Sequence, residues 1–186
     1  MLIHFIRHTT PDIESGICYG QSDLDVTDSF SQELETVKSK TLKSYDALYT
    51  SPLQRCSKLA KHINTKQRFT DKRIMEYNFG DWELLPWSEL TSEEAKVWMD
   101  NFVDQPAPNG DSIISMQTRV MAFFNELLEH DYESVAVVTH SGVQRLIHAH
   151  ILSTPLKHLF RLQLDFAAVI EVKTNASTGL LTVKHL

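Results

Sequence analysis

Two short apolar runs, each followed at once by residues that can bind an anion, constrain the fold most. Residues 2–6 are rich in β-forming side chains and lead directly into Arg7 and His8. Residues 135–138 are entirely apolar and are followed, after one threonine, by His140. Apolar runs of this length are typical of buried strands in a parallel sheet, and α/β proteins bind ligands at the carboxyl ends of such strands.

Two further residues extend this pattern. Arg55 follows the apolar stretch 47–49 after the sequence Ser-Pro-Leu-Gln, and Glu76 precedes the sequence Tyr-Asn-Phe-Gly-Asp-Trp-Glu. Each residue alone is a weak signal, because a charged residue at the end of a strand is often an ordinary surface residue. Together with the first two runs, they predict a cluster of cationic groups and one carboxylate.

Helices are predicted between these runs. Small polar residues or a proline mark their starts near Ser29, at Pro52, after the N-cap Ser112 and at Ser141. The aromatic and acidic stretch between Trp82 and Pro108 predicts one or two short helices that pack over the carboxyl edge of the sheet.

The remaining strands are predicted from short apolar or alternating segments. A short strand is expected at 68–70, and edge strands are expected at 162–166, 169–172 and 180–183, with a turn at 174–179. The order of elements indicates an α/β fold, a three-layer α/β/α sandwich with a mostly parallel central sheet and a short cap over its C-terminal edge.

Composition narrows the functional classes. The chain has 186 residues, a formal net charge of −6 and two cysteines. This length suits one domain over residues 1–186, and the acidic balance argues against a nucleic-acid partner. No signal peptide or membrane-length apolar segment is recognised, and two isolated cysteines suit a reducing compartment, so we expect a cytoplasmic protein without a membrane partner.

The order of these motifs resembles the histidine phosphatase superfamily, also called phosphoglycerate mutase-like. The Arg7-His8 pair, Arg55 after Ser-Pro-Leu, Glu76 before Phe-Gly-x-Trp-Glu and His140 after a central strand all match the family pattern. The resemblance extends from Ile3 to about residue 145. The sequence Gly-Ile-Cys-Tyr-Gly-Gln-Ser-Asp at 16–23 is most similar to the α-ribazole phosphatase branch.

The resemblance and the chemistry of the side chains imply a metal-independent phosphomonoesterase. A neutral imidazole is a good nucleophile near pH 7, so His8 is expected to form a phosphohistidine. Arg7 and Arg55 carry planar forks suited to phosphate oxygens, and His140 adds a third donor. Glu76 is the expected general acid and then base, although nearby arginines favour its ionised form and the sequence leaves this balance open.

Further substrate contacts are expected from Ser141, at a helix N-terminus, and from Tyr19, whose loop borders the predicted pocket. The three tryptophans are expected in the core more often than against a ligand. Asp81 and Glu83 are expected in a solvated loop. No cluster of metal-ligating residues is recognised, so neither a metal nor another cofactor is expected.

The chain departs from the family pattern at several positions. Residues 9–11 are Thr-Thr-Pro where the family has Gly-Glu-Thr, Glu14 and Tyr19 replace polar amides, and Leu84 replaces a glycine. Glu14 is therefore expected to point away from phosphate. The substrate expected from the branch is α-ribazole 5′-phosphate. A broad sugar or nucleotide phosphatase, a phosphoglycerate mutase and an inactive phosphate-ligand or protein-binding module remain alternatives, and the oligomeric state is left open.

Overall fold

A mixed six-stranded sheet forms the centre of the molecule. The computed structural model describes residues 1–175 and 177–186. The strands are β1 (Leu2–Arg7), β2 (Tyr45–Thr50), β3 (Thr65–Thr70), β4 (Ser134–Thr139), β5 (Val169–Thr174) and β6 (Leu181–His185). Their order is β3-β2-β4-β1-β5-β6; the first four are parallel, and β5 and β6 complete the sheet in antiparallel pairing.

Five α-helices and four short 3₁₀ segments lie within the described residues. The α-helices are α1 (Phe30–Lys40), α2 (Gln54–Ala60), α3 (Glu93–Asn101), α4 (Ile113–Leu128) and α5 (Ser141–Ile151). The 3₁₀ segments are Lys72–Ile74, Gly80–Trp82, Trp87–Glu89 and Leu156–Arg161.

Both faces of the sheet are buried, which confirms the three-layer arrangement. On β1, Ile3 and Phe5 pack in the core cluster that contains the buried faces of α4 and α5, whereas Ile6 packs in the cluster that contains α1 and α2. The alternation arises because successive side chains of a strand point to opposite faces. The carboxyl ends of β1, β2 and β4 therefore meet at one edge, between the two helical layers.

The predicted start of α4 is confirmed. The side chain of Ser112 accepts a hydrogen bond from the backbone N–H of Ser115, and the hydroxyl oxygen of Ser115 accepts one from the backbone N–H of Ser112. This reciprocal capping satisfies two donors that the first turn of a helix otherwise leaves free.

The start predicted for α2 is two residues early. Leu53 is still extended, and the helix begins at Gln54. The carboxylate of Asp23 accepts a hydrogen bond of 2.7 Å from the Gln54 N–H, so the cap of this helix comes from a distant loop. Sequence next to Pro52 could not show this partner. Strand β3 likewise begins at Thr65, earlier than the predicted 68–70.

The edge strand predicted at 162–166 is wrong. The chain forms a 3₁₀ segment to Arg161 and then an irregular segment that we call the 162–168 strap. The carbonyl oxygens of Leu162 and Leu164 accept hydrogen bonds from arginine side chains, so they are not available to a strand ladder. The last two strands are confirmed as β5 and β6, and the turn predicted at 174–179 includes Ala176, which lies outside the described residues.

The cap consists of the segment between β3 and α4. Trp82 and Trp98 are buried in it, as expected, and Trp87 remains 37% exposed. A short pairing joins the cap to the loop after β1, because Cys18 exchanges backbone hydrogen bonds with Leu84 and Leu85. No helix in the described part of the chain is long and apolar enough to cross a membrane.

Leu84 adopts a backbone conformation that favours glycine. Its φ is +68°, and its side chain is 55% exposed. We expect Leu84→Gly to leave the free energy of unfolding unchanged or to raise it by up to about 1 kcal/mol, because relief of strain offsets the greater entropy of the unfolded chain. Leu85→Gly should lower it by about 1 kcal/mol, since Leu85 is not in this region of φ. Urea unfolding of both variants is the test, and equal destabilisation would contradict the role of φ.

Candidate active site

Arg7 and His8 stand where β1 ends, at the floor of a cavity between the sheet and the cap. The ring of His8 is buried, and its Nδ1 lies 2.7 Å from the carbonyl oxygen of Thr9. A carbonyl can only accept, so Nδ1 carries the hydrogen and Nε2 holds the free lone pair of the neutral ring. Backbone geometry thus fixes the tautomer that leaves Nε2 nucleophilic.

The surroundings of His8 keep it neutral. Burial is the main cause that holds the pKa of His8 well below its ordinary value, and the positive charges of Arg55 and Arg7 act in the same direction. Because a protonated imidazole cannot attack an electrophile, this shift keeps the ring reactive at neutral and mildly acidic pH.

Arg7 is held from two sides. Its Nη1 donates to the carbonyl oxygen of Leu164 at 2.5 Å, and its guanidinium carbon lies 3.9 Å from the centre of the Phe166 ring. The Nε–H of Arg7 has no protein partner among the described residues. The 162–168 strap thus fixes the direction of the arginine and leaves its Nε–H unused.

Arg55 is fully buried and is bound by backbone oxygens. Its Nη1 donates to Ser22 at 2.8 Å and its Nη2 to Gly20 at 2.5 Å, and its Nε–H has no protein partner among the described residues. It does not line the cavity itself, and its guanidinium carbon lies 5.7 Å from the centre of the Tyr19 ring. Tyr19 lines the cavity, as expected.

The loop at Gly20–Ser22 is held by Glu83, which corrects the prediction of a solvated loop. The Glu83 carboxylate accepts hydrogen bonds from the backbone N–H groups of Gln21 and Ser22 and from the Ser22 hydroxyl. A Cβ on Gly20 would lie 1.8 Å from the carbonyl oxygen of Tyr77, so only glycine fits there. The partners of Glu83 are about 60 residues away in the sequence, so the residues next to Glu83 did not indicate these hydrogen bonds.

His140 is fully buried behind His8. The centres of the two rings are 5.1 Å apart. Arg55 Nη2 lies 3.4 Å from His140 Nδ1, and since a guanidinium only donates, Nε2 carries the hydrogen and donates to Ser51 Oγ at 2.8 Å. Burial and then Arg55 hold the pKa of His140 well below its ordinary value. His140 does not line the cavity, so its contact with phosphate stays a prediction.

Glu76 reaches the cavity from the cap and sits at the N-terminus of α5. Its Oε1 accepts from the backbone N–H of Tyr77 at 3.0 Å, and its Oε2 accepts from Ser141 Oγ at 3.2 Å and from the Gly142 N–H at 3.1 Å. A Cβ on Gly142 would lie 2.1 Å from Oε1, so glycine is required for this approach. Ser141 lines the cavity with its hydroxyl bound to Glu76, and its contact with substrate stays a prediction.

Two arginines that the sequence motifs did not include support Glu76. Arg119 donates to its carbonyl oxygen at 2.8 Å and to Asp111 Oδ2 at 2.9 Å. Arg145 lines the cavity and donates to Ser141 Oγ at 3.1 Å. The spacing of Arg145, four residues after Ser141 on a helix, is the one signal in the sequence that could have indicated this contact.

The remaining walls of the cavity are apolar and largely aromatic. They are formed by Tyr77, Phe79, Trp87, Ile113, Met116, Leu159 and Phe160. Glu14 is exposed and does not line this cavity, in line with the expectation that it points away. Among the described residues, no three His, Cys, Asp or Glu side chains lie close enough to hold a metal ion.

The buried neutral histidines predict a loss of stability in acid. Below about pH 6.5 the unfolded chain binds a proton at each histidine, whereas folded His8 and His140 do not until a much lower pH. The free energy of unfolding should therefore fall with decreasing pH by about 1.4 kcal/mol per pH unit for each of them. Urea unfolding between pH 7 and 5 should show a slope reduced by about this amount in His8→Asn. An unchanged slope would mean that His8 is protonated in the fold.

Comparison with known proteins finds relatives and solved structures similar to this chain. The adenosylcobalamin/α-ribazole phosphatase of Escherichia coli (strain K12) is 26% identical over 147 residues, which are 75% of this chain and 72% of that protein. The protein of the same name from Salmonella typhimurium (strain LT2) is 23% identical over 174 residues, covering 89% and 86%. A crystal structure of the α-ribazole phosphatase from Shigella flexneri has a TM-score of 0.86 at 21% identity, covering 100% of this chain and 96% of that one.

The family itself is shown by a match along nearly the whole chain. The model of the histidine phosphatase superfamily (branch 1) matches residues 3–184, which include all of β2 to β5 and all but one residue each of β1 and β6. With Arg7, His8, Arg55, Glu76 and His140 gathered at the carboxyl edge of this sheet, the chain belongs to branch 1 of the histidine phosphatase superfamily.

Proposed function

We propose that this chain, as one domain over residues 1–186, is a metal-independent phosphomonoesterase that works through a phosphohistidine on His8. The observation that carries the proposal is the neutral His8 ring, whose Nδ1–H is bound to Thr9 and whose Nε2 is free at the cavity floor. Membership of the histidine phosphatase superfamily supports the same reaction.

In the first step, Nε2 of His8 attacks the phosphorus atom of the ester. The Nε2–P bond forms as the bond between phosphorus and the leaving oxygen breaks, and Glu76 gives that oxygen its proton. The imidazole becomes a cation, which the carbonyl oxygen of Thr9 stabilises through the Nδ1–H. Glu76 belongs to the cap and His8 follows the end of β1, so the acid and the nucleophile lie in different parts of the fold.

In the second step, water attacks the same phosphorus atom. The Glu76 carboxylate takes a proton from the water, the Nε2–P bond breaks, and inorganic phosphate leaves with His8 neutral again. Both steps keep the number of protons balanced, because Glu76 loses one in the first and gains one in the second.

The phosphate is expected to bind between the two motif arginines. Arg7 and Arg55 each retain an Nε–H without a protein partner in the described structure, and neither guanidinium is paired there with a carboxylate. Donors of this kind match the equatorial oxygens of a phosphoryl group as charge develops. Tyr19, His140 and the backbone N–H of Ser141 at the start of α5 complete the proposed set of substrate contacts.

The substrate proposed is α-ribazole 5′-phosphate, hydrolysed in the cytoplasm. Two observations support it: relatives named α-ribazole phosphatase, and an aromatic wall beside Glu76. Trp87 and Phe160 line the cavity and are 37% and 45% exposed, so they offer ring faces to a flat, apolar base. A phosphatase with broad specificity for sugar or nucleotide phosphates would not depend on these two rings.

The covalent intermediate is tested by rapid denaturing quench after mixing with ³²P-labelled substrate. Label on the protein should be labile in acid and stable in base, as a phosphoramidate is, and His8→Asn should carry none. Arg161→Met is a matched control, because Arg161 is exposed and does not line the cavity. Label that persists in His8→Asn would mean that another residue is the nucleophile.

The proposed reaction does not use a metal ion, so the wild-type protein should keep its activity in the presence of a chelator.

The substrate is tested by the ratio of kcat/KM values for α-ribazole 5′-phosphate and for glycerol phosphate. We expect the ribazole ester to be favoured about a hundredfold, and Trp87→Leu and Phe160→Leu each to reduce that ratio by about fivefold through loss of ring stacking. Phe69→Leu is the control, since Phe69 is an equally exposed aromatic residue on β3. A wild-type ratio near one would leave only a general phosphatase.

A further inference from the structure

Arg145 and Ser141 form a hydrogen-bonded chain that ends on Glu76. The two residues are one helical turn apart on α5, and Arg145 Nη1 lies 3.1 Å from Ser141 Oγ. Ser141 Oγ in turn lies 3.2 Å from Glu76 Oε2. All three side chains line the same cavity.

The donor in the first contact fixes the direction of the second. A guanidinium has only donors, so Ser141 Oγ must accept from Arg145. A serine hydroxyl has a single hydrogen, which is then free to point at Glu76 Oε2. Without Arg145, the same hydroxyl could rotate toward other acceptors or toward the cavity.

Arg145 is held in place at a second point. Its Nε donates to the carbonyl oxygen of Leu162 at 3.0 Å, and its guanidinium carbon lies 5.7 Å from the centre of the Phe160 ring. One nitrogen of the planar guanidinium therefore donates to Ser141, and another donates to the 162–168 strap. A lysine ammonium is a single point and cannot serve both in this geometry.

The two oxygens of Glu76 are consequently unequal. Oε2 accepts from Ser141 Oγ and from the Gly142 N–H, whereas Oε1 accepts only from the Tyr77 N–H among the residues that the structure describes. A carboxylate oxygen has two lone-pair sites, so Oε2 is fully used and Oε1 keeps one site for a proton.

We propose that Arg145 is a positioning residue for Glu76: through Ser141 it holds Oε2 as an acceptor and leaves Oε1 to carry the proton that passes to the leaving oxygen. This inference rests on the proposed function, and it assigns Arg145 a part in proton transfer that the motifs of the family resemblance do not contain.

The experiment compares two esters in a mutant cycle. The first is an alkyl phosphate, whose poor leaving group needs the acid, and the second is 4-nitrophenyl phosphate, which needs it little. Arg145→Met should lower kcat for the alkyl ester by about tenfold or more and for the nitrophenyl ester by less than about threefold. Ser141→Ala should give the same pattern, and Arg145→Lys should not restore activity.

In a Glu76→Gln background, adding Arg145→Met should lower kcat for the alkyl ester by less than about a further twofold, because the effects of residues that act as a unit are not additive. Arg161→Met is the control for loss of charge nearby and should leave both esters unaffected. Ser141→Ala serves as the second variant if Arg145→Met does not fold, since it keeps the contact between Arg145 and the strap.

Equal losses on the two esters, or full additivity with Glu76→Gln, would show that Arg145 only supports the strap and would overturn the inference. A rise in KM with kcat unchanged would make Arg145 a substrate contact and would overturn it as well. Label on His8 in the wild type separates these results from failure of the proposed function. If the proposed function were wrong, the wild type would carry no label and would turn over neither ester.

Discussion

The site depends on two guanidinium groups that are held without being neutralised. Arg7 and Arg55 are fixed by backbone carbonyl oxygens of Leu164, Ser22 and Gly20, and no carboxylate pairs with either in the described structure. Carbonyl dipoles orient a cation without cancelling its charge, so both guanidinium groups keep their full positive charge. Burial lowers the pKa of His8 most, and the charges of Arg55 and Arg7 act in the same direction, so the two arginines help to keep the nucleophilic ring neutral.

Two loops provide these carbonyl groups, and each is held by a charged side chain. Glu83 fixes the loop that presents Gly20 and Ser22, and Arg145 fixes the strap that presents Leu164. Glu83 therefore does not contact Arg55 directly: it binds backbone N–H groups of the loop and does not reduce the charge of Arg55. This separation explains how a protein with a formal net charge of −6 can carry a cationic cavity.

The sequence predicted what depends on local pattern and not what depends on distant partners. Apolar runs located the strand ends at Arg7 and His140, and family motifs located Arg55 and Glu76, because those signals lie within a few residues. The strap was mistaken for a strand because its alternating apolar residues resemble one, whereas arginine side chains take its carbonyl groups. The role of Glu83 and the cap that Asp23 provides for α2 were missed because in both cases the hydrogen-bonding partners are distant in sequence.

The strand order has a consequence for the synthesis of the protein on the ribosome. Among the six strands of the described residues, β1 is made first, yet it pairs only with β4 and β5, and Leu2 aligns with Ser134 and with Lys173. His8 and His140 therefore cannot meet until most of the chain has been translated. Pairings of such long sequence separation slow folding, and the early apolar strand must wait unpaired, exposed to chaperones and to aggregation. The geometry that assembles the cavity from both ends of the chain thus makes its formation a late event.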